Sequence, residues 1–395
     1  MTEGWFVRLL LVTVLLQTAV YAVRPMVSYQ ALALGADNAQ LGVIAAAYAS
    51  LSLLVAVPVG RWVDRWGEPR FVIVGGAVIA GVSLWLVFID SLLALAVSQA
   101  ALGFGHIAVV VGSQALVANR GAPGGRDSRF GVFTVVVSTG QLAGPALGGL
   151  LGGQGDAGFD GGLVFGTTAA LTVPALVLAA LLWRESGDRS AAAVRPTGHH
   201  ESGPALLRVL RIPGMPHAMI ASLTVLTTID LLTVYLPAYG EAHGLSVETV
   251  GLLLAVRAAA SMASRLLMLQ LIRWLGRKRL LFGSIALPAA ALLALPAFDS
   301  PLVLALLLLL SGLGLGLGQP VTLAWVADRA PREIRGTALG VRLSGNRLGQ
   351  VVLPLAVGAV AGGSGLAAAF AAMAAMLGGS ALAVLGADFE PGAEA

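Results

Sequence analysis

Apolar runs of about 20 residues recur along the whole chain and are separated by short polar turns. One turn, GRWVDRWGEPR at residues 60–70, lies between LGVIAAAYASLSLLVAVPV and FVIVGGAVIAGVSLWLVFI. A helix of about 20 residues, at about 1.5 Å per residue, spans the roughly 30 Å hydrocarbon core of a bilayer. Membrane strands would be about half as long and would alternate in polarity. The pattern therefore predicts an all-α membrane protein.

The low content of charged residues supports the same conclusion. Only 11% of the 395 residues are charged and the mean hydropathy is +0.87, whereas soluble domains carry roughly 25% charged residues. The chain has no cysteine, which excludes disulfides, thiolate metal sites and a cysteine nucleophile. No catalytic triad or nucleotide-binding lysine motif is present. We therefore expect no enzyme activity, no cofactor and no metal, and an ion gradient as the energy source.

The apolar runs predict twelve membrane-spanning helices in two halves of six. The halves are residues 1–183 and 213–395, and a polar linker of residues 184–212 connects them. The expected helices lie near residues 5–33, 40–60, 71–89, 93–117, 128–152, 162–183, 214–239, 247–272, 280–298, 302–327, 336–361 and 365–387.

Basic residues collect in alternate turns, and this distribution sets the expected orientation. Of the 24 Lys and Arg residues, 19 lie at Arg8, in the 184–211 linker and in the basic turns, which are residues 61–70, 120–129, 273–279 and 329–335. The other turns carry acidic residues and no basic ones. Positive charge marks the cytoplasmic side, so both termini are expected there and nucleic-acid binding is excluded. The strong preference for Arg over Lys suggests a bacterial protein, hence the cytoplasmic (inner) membrane.

The two halves of the sequence repeat each other at a constant offset of 209 residues. Gly42, Gly103 and Gly105 coincide with Gly251, Gly312 and Gly314, and GQLAGPALGG from Gly140 coincides with GQVVLPLAVG from Gly349. Six helices per half in the same orientation give two parallel repeats. This arrangement is typical of transporters that rock two halves around a central substrate site.

The 60–70 turn resembles the signature G-x-L-x-D-R-x-G-R-[KR] of the Major Facilitator Superfamily. Its second copy, LIRWLGRKR, places Arg273 where the acid would stand. In the first copy, Glu68 replaces the basic residue that follows the last glycine. The resemblance implies that the turn is a gate latch that holds the cytoplasmic side closed and breaks on inward opening. Gly60 would allow close backbone approach, and Asp64 would face the N-terminus of the helix near residue 336. The expected gate residues are Gly60, Asp64, Arg65, Gly67, Arg70 and Arg120.

Two further segments can be compared with the drug:proton antiporter branch of that family, which has twelve helices: one resembles its pattern and the other departs from it. The fifth helix resembles its G-x-x-x-G-P-x-x-G-G pattern, which implies an exporter. Glycines spaced by four form a flat face for close packing, and the proline permits a bend, so plain helix packing is the alternative reading. Where the family's fourth-helix R-x-x-Q-G pattern has arginine, this chain has Gln99. The fifth-helix motif consists of Gly140, Gly144, Pro145, Gly148 and Gly149.

Few ionisable side chains lie inside the predicted spans, and those that do are the candidate functional residues. Charges in a bilayer are costly and usually face a cavity. Asp230 is the one carboxylate deep in a span and is the expected proton site, with His106 as a second candidate and pairing with Arg257 as the structural alternative. Arg265 and Arg342 are expected to snorkel toward the cytoplasm. The expected substrate-binding residues are Arg24, Gln99, Arg257, Asn346 and Arg347.

The excess of arginine over acid inside the spans predicts a positive cavity. We therefore expect a monomeric secondary transporter in the lipid bilayer that exports a small anionic, zwitterionic or polar organic solute by proton antiport, with drugs among the candidate solutes. One alternative is a proton-coupled importer of an organic anion. Another is a non-transporting receptor or lipid-handling protein on the same scaffold.

Overall fold

The computed structural model describes residues 4–120, 126–153, 159–186, 208–331 and 334–386. Within these ranges the chain is helical and has no strand. Twelve of the described helices are long and apolar enough to cross a membrane, so the protein is a multi-pass membrane protein. They are α1 (Gly4–Ala33), α2 (Asn38–Trp66), α3 (Glu68–Leu86), α4 (Leu92–Asn119), α5 (Arg126–Gly152), α6 (Gly161–Ser186), α7 (Met215–Ala242), α8 (Val247–Leu266), α9 (Arg277–Ala294), α10 (Pro301–Arg329), α11 (Arg335–Ser364) and α12 (Leu366–Gly386).

The charged turn at residues 60–70 is mostly helical, which the sequence analysis did not predict. α2 continues through it to Trp66, and α3 begins at Glu68. The only break is Gly67, whose φ of 91° lies in the region that favours glycine. In the second copy, Gly276 has a φ of 74° and separates the short helix Met268–Leu275 from α9. Glycine conformation, and not charge, therefore ends these helices.

The described residues fall into two compact units. The first lies within Met1–Asp37, Val43–Pro196 and Leu236–Ala255, and the second within Asn38–Gly42, Thr197–Tyr235 and Val256–Ala395. Each unit thus contains a short segment from the other half of the sequence. The predicted 184–212 linker lies largely outside the described residues.

The packing of glycines follows the 209-residue repeat. A Cβ on Gly42 would lie 2.5 Å from the Pro354 carbonyl oxygen, and a Cβ on Gly251 would lie 2.5 Å from the Pro145 carbonyl oxygen. Gly251 lies 209 positions after Gly42, and Pro354 lies 209 positions after Pro145. The repeated glycines therefore allow equivalent backbone approaches, α2 against α11 in the second unit and α8 against α5 in the first.

A second equivalent pair involves neighbouring helices within each half. A Cβ on Gly105 of α4 would lie 2.9 Å from the Gly75 carbonyl oxygen of α3. One on Gly314 of α10 would lie 2.6 Å from the Ser284 carbonyl oxygen of α9. The glycine-rich run of α10 is thus a packing surface within a helix.

Three of the candidate functional residues lie on the most enclosed of the described spanning helices. In an apolar 18-residue window of each helix, the buried share is 61% for α1, 72% for α7 and 61% for α8. These helices carry Arg24, Asp230 and Arg257, respectively, and all three side chains are buried. The fold therefore withdraws these charges from lipid, as the cost of a charge in hydrocarbon requires.

Candidate functional site

A buried amide connects the membrane carboxylate with an arginine in the second unit. Gln350 of α11 donates from Nε2 to Oδ2 of Asp230 on α7 in a short hydrogen bond. The Oε1 atom of Gln350 accepts a hydrogen bond of 3.1 Å from Nη1 of Arg347. Asp230 is 7% exposed. The structure therefore brings two of the predicted residues, Asp230 and Arg347, to the two ends of one glutamine side chain.

A second polar cluster is centred on Gln319 of α10. Its Nε2 donates to the Ser222 carbonyl oxygen of α7 in a short hydrogen bond. Its Oε1 accepts from Arg342 at 2.9 Å and lies 3.4 Å from Nδ2 of the predicted residue Asn346. Arg342 also donates to Thr322 at 3.0 Å. Three helices of the second unit, α7, α10 and α11, thus converge on one partly buried amide.

The expectation that Arg342 snorkels to the membrane surface is wrong. Its side chain is only 7% exposed and is bound to Gln319 and Thr322 of α10. Arg265 is partly buried and donates from Nε to the Gly316 carbonyl oxygen at 3.1 Å. Acceptors on α10 therefore bind both guanidinium groups.

The first unit contains a separate cluster around Tyr48 of α2. Its hydroxyl forms a short hydrogen bond with Nδ1 of His106 on α4, and Nε2 of His106 lies 2.9 Å from Oε1 of Gln17 on α1. The guanidinium carbon of Arg24 lies 4.1 Å from the centroid of the Tyr48 ring and 5.9 Å from that of Tyr21. One tyrosine therefore contacts both Arg24 and His106, a predicted substrate residue and a predicted proton site.

The remaining predicted substrate residues are also buried. Gln99 of α4 is 4% exposed, and its Nε2 has no hydrogen-bond partner among the described residues. Arg257 is 4% exposed, and its backbone carbonyl oxygen packs against Gly312 of α10. Asp230 and His106 lie in different units, so each proton-site candidate belongs to its own cluster.

The glycines of the fifth-helix motif pack as the sequence predicted. A Cβ on Gly144 would lie 2.6 Å from the Cβ of Tyr21, and one on Gly148 would lie 2.8 Å from the Ala22 carbonyl oxygen, both on α1. Gly140 faces the same helix, at Gln17. On another side, a Cβ on Gly149 would lie 2.8 Å from the Cα of Gly251 on α8. The motif, which also contains Pro145 within α5, therefore packs closely on α1 and α8.

The predicted gate residues lie in or near the ends of α2, α3 and α4. A Cβ on Gly60 would meet no described atom within 4 Å, so the close approach expected at this glycine is wrong for this structure. At Gly67, by contrast, the positive φ favours glycine. Arg65 is exposed. The Asp64 side chain lies outside the described part of the chain, so its predicted partnership stays a prediction.

Arg70 and Arg120 contact tryptophan rings near the basic turns. The guanidinium carbon of Arg70 lies 5.6 Å from the centroid of Trp183, and that of Arg120 lies 5.7 Å from the centroid of Trp5. Burial lowers the pKa of Arg120, and the negative charge of Glu68 acts in the opposite direction. These arginines therefore anchor helix ends to α6 and α1 through aromatic contacts.

The sequence analysis missed the residues that join the predicted ones. Gln319, Gln350, Tyr48 and Thr322 are uncharged, so a search for buried charges passes over them. One signal was available: Gln350 and Gln141 occupy the same position of the repeated GQ dipeptide. In the structure Gln141 donates to the Tyr21 hydroxyl at 3.1 Å, which parallels the bond from Gln350 to Asp230.

The fold agrees with solved transporters of several kinds. A point variant of the nucleoside transporter NupG superposes with a TM-score of 0.81 at 14% identity and covers 97% of this chain and 99% of its own. A D-xylose–proton symporter gives a TM-score of 0.72 at 16% identity, over 98% of this chain and 97% of its own. A peptide transporter in complex with sulfate gives 0.75 at 16% identity, over 97% and 94%. At these identities the likeness shows the fold alone.

One sequence relative and a family model agree with this fold. The Multidrug resistance protein 1 of Bacillus subtilis (strain 168) is 31% identical over 146 residues, which is 37% of this chain and 36% of that protein. The alignment thus spans about a third of the relative's length. The family model described as Major Facilitator Superfamily matches residues 9–302 and 273–394. With its twelve apolar helices and transporter fold, the chain belongs to the Major Facilitator Superfamily and is a transporter.

Proposed function

We propose that this transporter exports a small zwitterionic or otherwise polar organic solute in exchange for protons, by alternating access. We place it in a bacterial cytoplasmic membrane with both termini on the cytoplasmic side, because the basic turns favour that orientation. The observation that supports the proposal most directly is the buried Asp230 carboxylate, bound by Gln350, which in turn is bound by Arg347.

The Gln350 amide gives a physical route for coupling. A hydrogen bond to an ionised carboxylate is roughly twice as strong as one between neutral groups. Protonation of Asp230 therefore weakens the bond from Gln350. The other end of the same amide accepts from Arg347, so the proton on one residue changes how firmly the other is held.

The sign of the coupling depends on which group of the substrate reaches Asp230. A substrate with an ammonium or another hydrogen-bond donor competes with the proton for the carboxylate, and this competition gives antiport. A substrate with only a negative charge is repelled by ionised Asp230 and binds better after protonation, which gives symport. Antiport therefore favours the zwitterionic or donor-bearing members of the proposed substrate class.

The excess of buried arginine supports an anionic group on the same substrate. Arg24, Arg257 and Arg342 are each less than 10% exposed, while Asp230 is the one acid among the buried polar and charged side chains of the described residues. Buried charges are costly unless they are balanced. A substrate carboxylate would balance part of this positive charge, and a lipophilic cation would add to it.

Two findings support export over import. The fifth helix carries the motif that resembles the drug:proton antiporter pattern. The relative from Bacillus subtilis is named a multidrug resistance protein, although it aligns over only about a third of its length. We therefore assign the outward direction to this chain as part of the proposal.

An importer of an organic anion is the second candidate. Gln99 replaces the fourth-helix arginine of the antiporter pattern, and one protein of the same fold is a D-xylose–proton symporter. The two candidates differ in pH dependence. Substrate binding weakens as the pH falls in the antiporter and strengthens in the anion symporter.

Proton flux in proteoliposomes tests the proposed function. Vesicles with a pH-sensitive dye inside are given phenylglycine as a zwitterion, phenylacetate as an anion or tetraphenylphosphonium as a lipophilic cation. We expect phenylglycine to drive protons in the opposite direction to its own movement. Asp230→Asn should abolish the proton signal, while Asp90→Asn, in an exposed turn, should retain it.

Three other outcomes of this experiment would each contradict the proposal. Proton movement in the same direction as phenylacetate would establish the importer. A response to tetraphenylphosphonium alone would refute the substrate class. If no solute moves protons, and Asp64→Asn leaves ligand binding unchanged, the receptor or lipid-handling alternative replaces antiport.

A further inference from the structure

Arg342 is a buried cation, and all of its hydrogen-bond acceptors among the described residues are neutral. Its Nη2 atom donates to the carbonyl oxygen and the Oε1 atom of Gln319, both at 2.9 Å, and to Oγ1 of Thr322 at 3.0 Å. Its Nε atom is enclosed and has no partner there. Because a buried guanidinium is costly without a counter-charge, this site gains stability when an anion binds.

The orientation of the neighbouring amides is fixed by hydrogen bonding. The Ser222 carbonyl oxygen can only accept, so the nitrogen of Gln319 must face it. Oε1 of Gln319 therefore faces Arg342 and Asn346 as an acceptor. Asn346 must in turn direct its Nδ2 toward that oxygen, at 3.4 Å, which leaves its Oδ1 as the free acceptor. The Oδ1 atom is enclosed and has no partner among the described residues.

Among the described residues, one buried site thus combines a donor and an acceptor that have no partner. Arg342 and Asn346 are one helical turn apart on α11, and both bind the same oxygen of Gln319. They are 7% and 2% exposed. The free Nε of Arg342 suits an oxyanion, while the free Oδ1 of Asn346 suits an N–H or O–H group.

We propose that Arg342 and Asn346 form a binding subsite for a solute that carries a carboxylate next to an ammonium or similar donor. The carboxylate binds to the guanidinium of Arg342, and the donor binds to Oδ1 of Asn346. This inference rests on the proposed function and specifies its substrate class. Both free atoms are closed off in this conformation, so the solute enters when the surrounding helices separate, as alternating access requires.

Three matched probes separate the two halves of the subsite. Phenylglycine carries both groups, phenylacetate lacks the ammonium and benzylamine lacks the carboxylate. Binding to the purified full chain in detergent is measured by the ligand-induced shift of the unfolding temperature over a concentration series. We expect phenylglycine to bind at least about 10-fold more tightly than either of the other probes.

Two substitutions then assign each group of the ligand to its residue. Arg342→Gln should weaken phenylglycine and phenylacetate by about 10- to 100-fold and leave benzylamine unchanged. Asn346→Leu should weaken phenylglycine and benzylamine by about 2- to 10-fold and leave phenylacetate unchanged. Arg265→Gln, which removes another arginine from a membrane span, is the matched control and should bind all three probes as the native protein does.

A structural role for Arg342 gives a different result. In that case Arg342→Gln lowers the unfolding temperature without ligand and changes the three affinities equally, and Arg342→Lys restores both. Equal affinities for the three probes, or no binding of phenylglycine, would overturn the subsite. Proton flux that persists in Arg342→Gln with unchanged KM would overturn the subsite and leave antiport standing. Phenylglycine binding without any proton flux would overturn antiport and leave the subsite standing.

Discussion

Gln350 donates a hydrogen bond to the Asp230 carboxylate at the repeat position where Gln141 donates to the Tyr21 hydroxyl. Both residues of the first pair are offset by 209 from those of the second. The two halves therefore share one hydrogen-bond geometry but differ in the acceptor. The second half carries a carboxylate where the first carries a phenol, which stays neutral near pH 7, so the proposed proton coupling at this position would belong to the second half alone.

Removing the amide while keeping the carboxylate tests this coupling. We expect Gln350→Leu to reduce proton-driven transport at least about 10-fold, because Asp230 loses its donor and Arg347 loses its acceptor. Exchange of labelled for unlabelled phenylglycine at constant pH should persist. Gln141→Leu removes the equivalent bond from a neutral acceptor and should cost less than about 3-fold. Equal losses in the two variants would contradict a special role for Gln350.

The contact between Arg24 and Tyr48 can be separated from the bond to His106. Tyr48→Phe keeps the aromatic face near Arg24 and removes the hydroxyl that bonds to His106. Tyr48→Leu removes both. A cation–π contact is worth about 0.5–2 kcal/mol, so we expect Tyr48→Leu to weaken substrate binding about 2- to 30-fold and Tyr48→Phe to leave it nearly unchanged.

The hydroxyl contribution is then measured through its pH dependence. If His106 takes part in proton binding, transport by Tyr48→Phe should shift its pH profile relative to the native protein. Ligand affinity at a fixed alkaline pH should stay the same. An unshifted profile would restrict His106 to packing, and proton coupling would then rest on Asp230.

The two equivalent glycine contacts give a prediction about stability. A Cβ on Gly42 or Gly251 would lie 2.5 Å from a carbonyl oxygen, and overpacking of this kind typically costs about 1–3 kcal/mol. Gly42→Ala and Gly251→Ala should therefore both lower the unfolding temperature, and by similar amounts. Gly81→Ala is the control, because its Cβ meets no described atom within 4 Å and alanine favours a helix interior. If Gly81→Ala lowers the unfolding temperature by as much as the other two substitutions do, the steric explanation is refuted.

The sequence predicted the fold because its signals are local and periodic. Span length and the glycine repeat established twelve helices, two repeats and the close packing of α5, and the structure and the comparisons agree. The polar clusters could not be predicted, because a glutamine in an apolar run finds its partner only through the rotation of both helices. Arg342 was misjudged for the same reason. Its position along the helix suggested snorkelling, while the direction of its side chain toward Gln319 is a tertiary property.

At the basic turns, a side-chain contact joins equivalent helix ends in both halves, but the two residues that form it differ. Asn119 at the end of α4 donates to Oε1 of Glu68 at the start of α3, at 2.7 Å. The equivalent residues, Arg277 and Asp328, form an ion pair of 2.5 Å between α9 and α10. The position after the turn glycine is thus acidic in the first half and basic in the second, although both link the same helix ends.

Exchanging this link is a direct test of the equivalence. Glu68→Arg alone and Asn119→Asp alone each break the bond in the first half, and the latter also places two acids together. The double substitution recreates the ion pair of the second half. Because such exposed pairs are worth at most about 1 kcal/mol, we expect a favourable coupling of about 0.2–1 kcal/mol in a double-mutant cycle of unfolding free energies. The coupling should decrease with added salt. A coupling of zero, or one that is independent of salt, would show that the two helix ends are not equivalent in geometry.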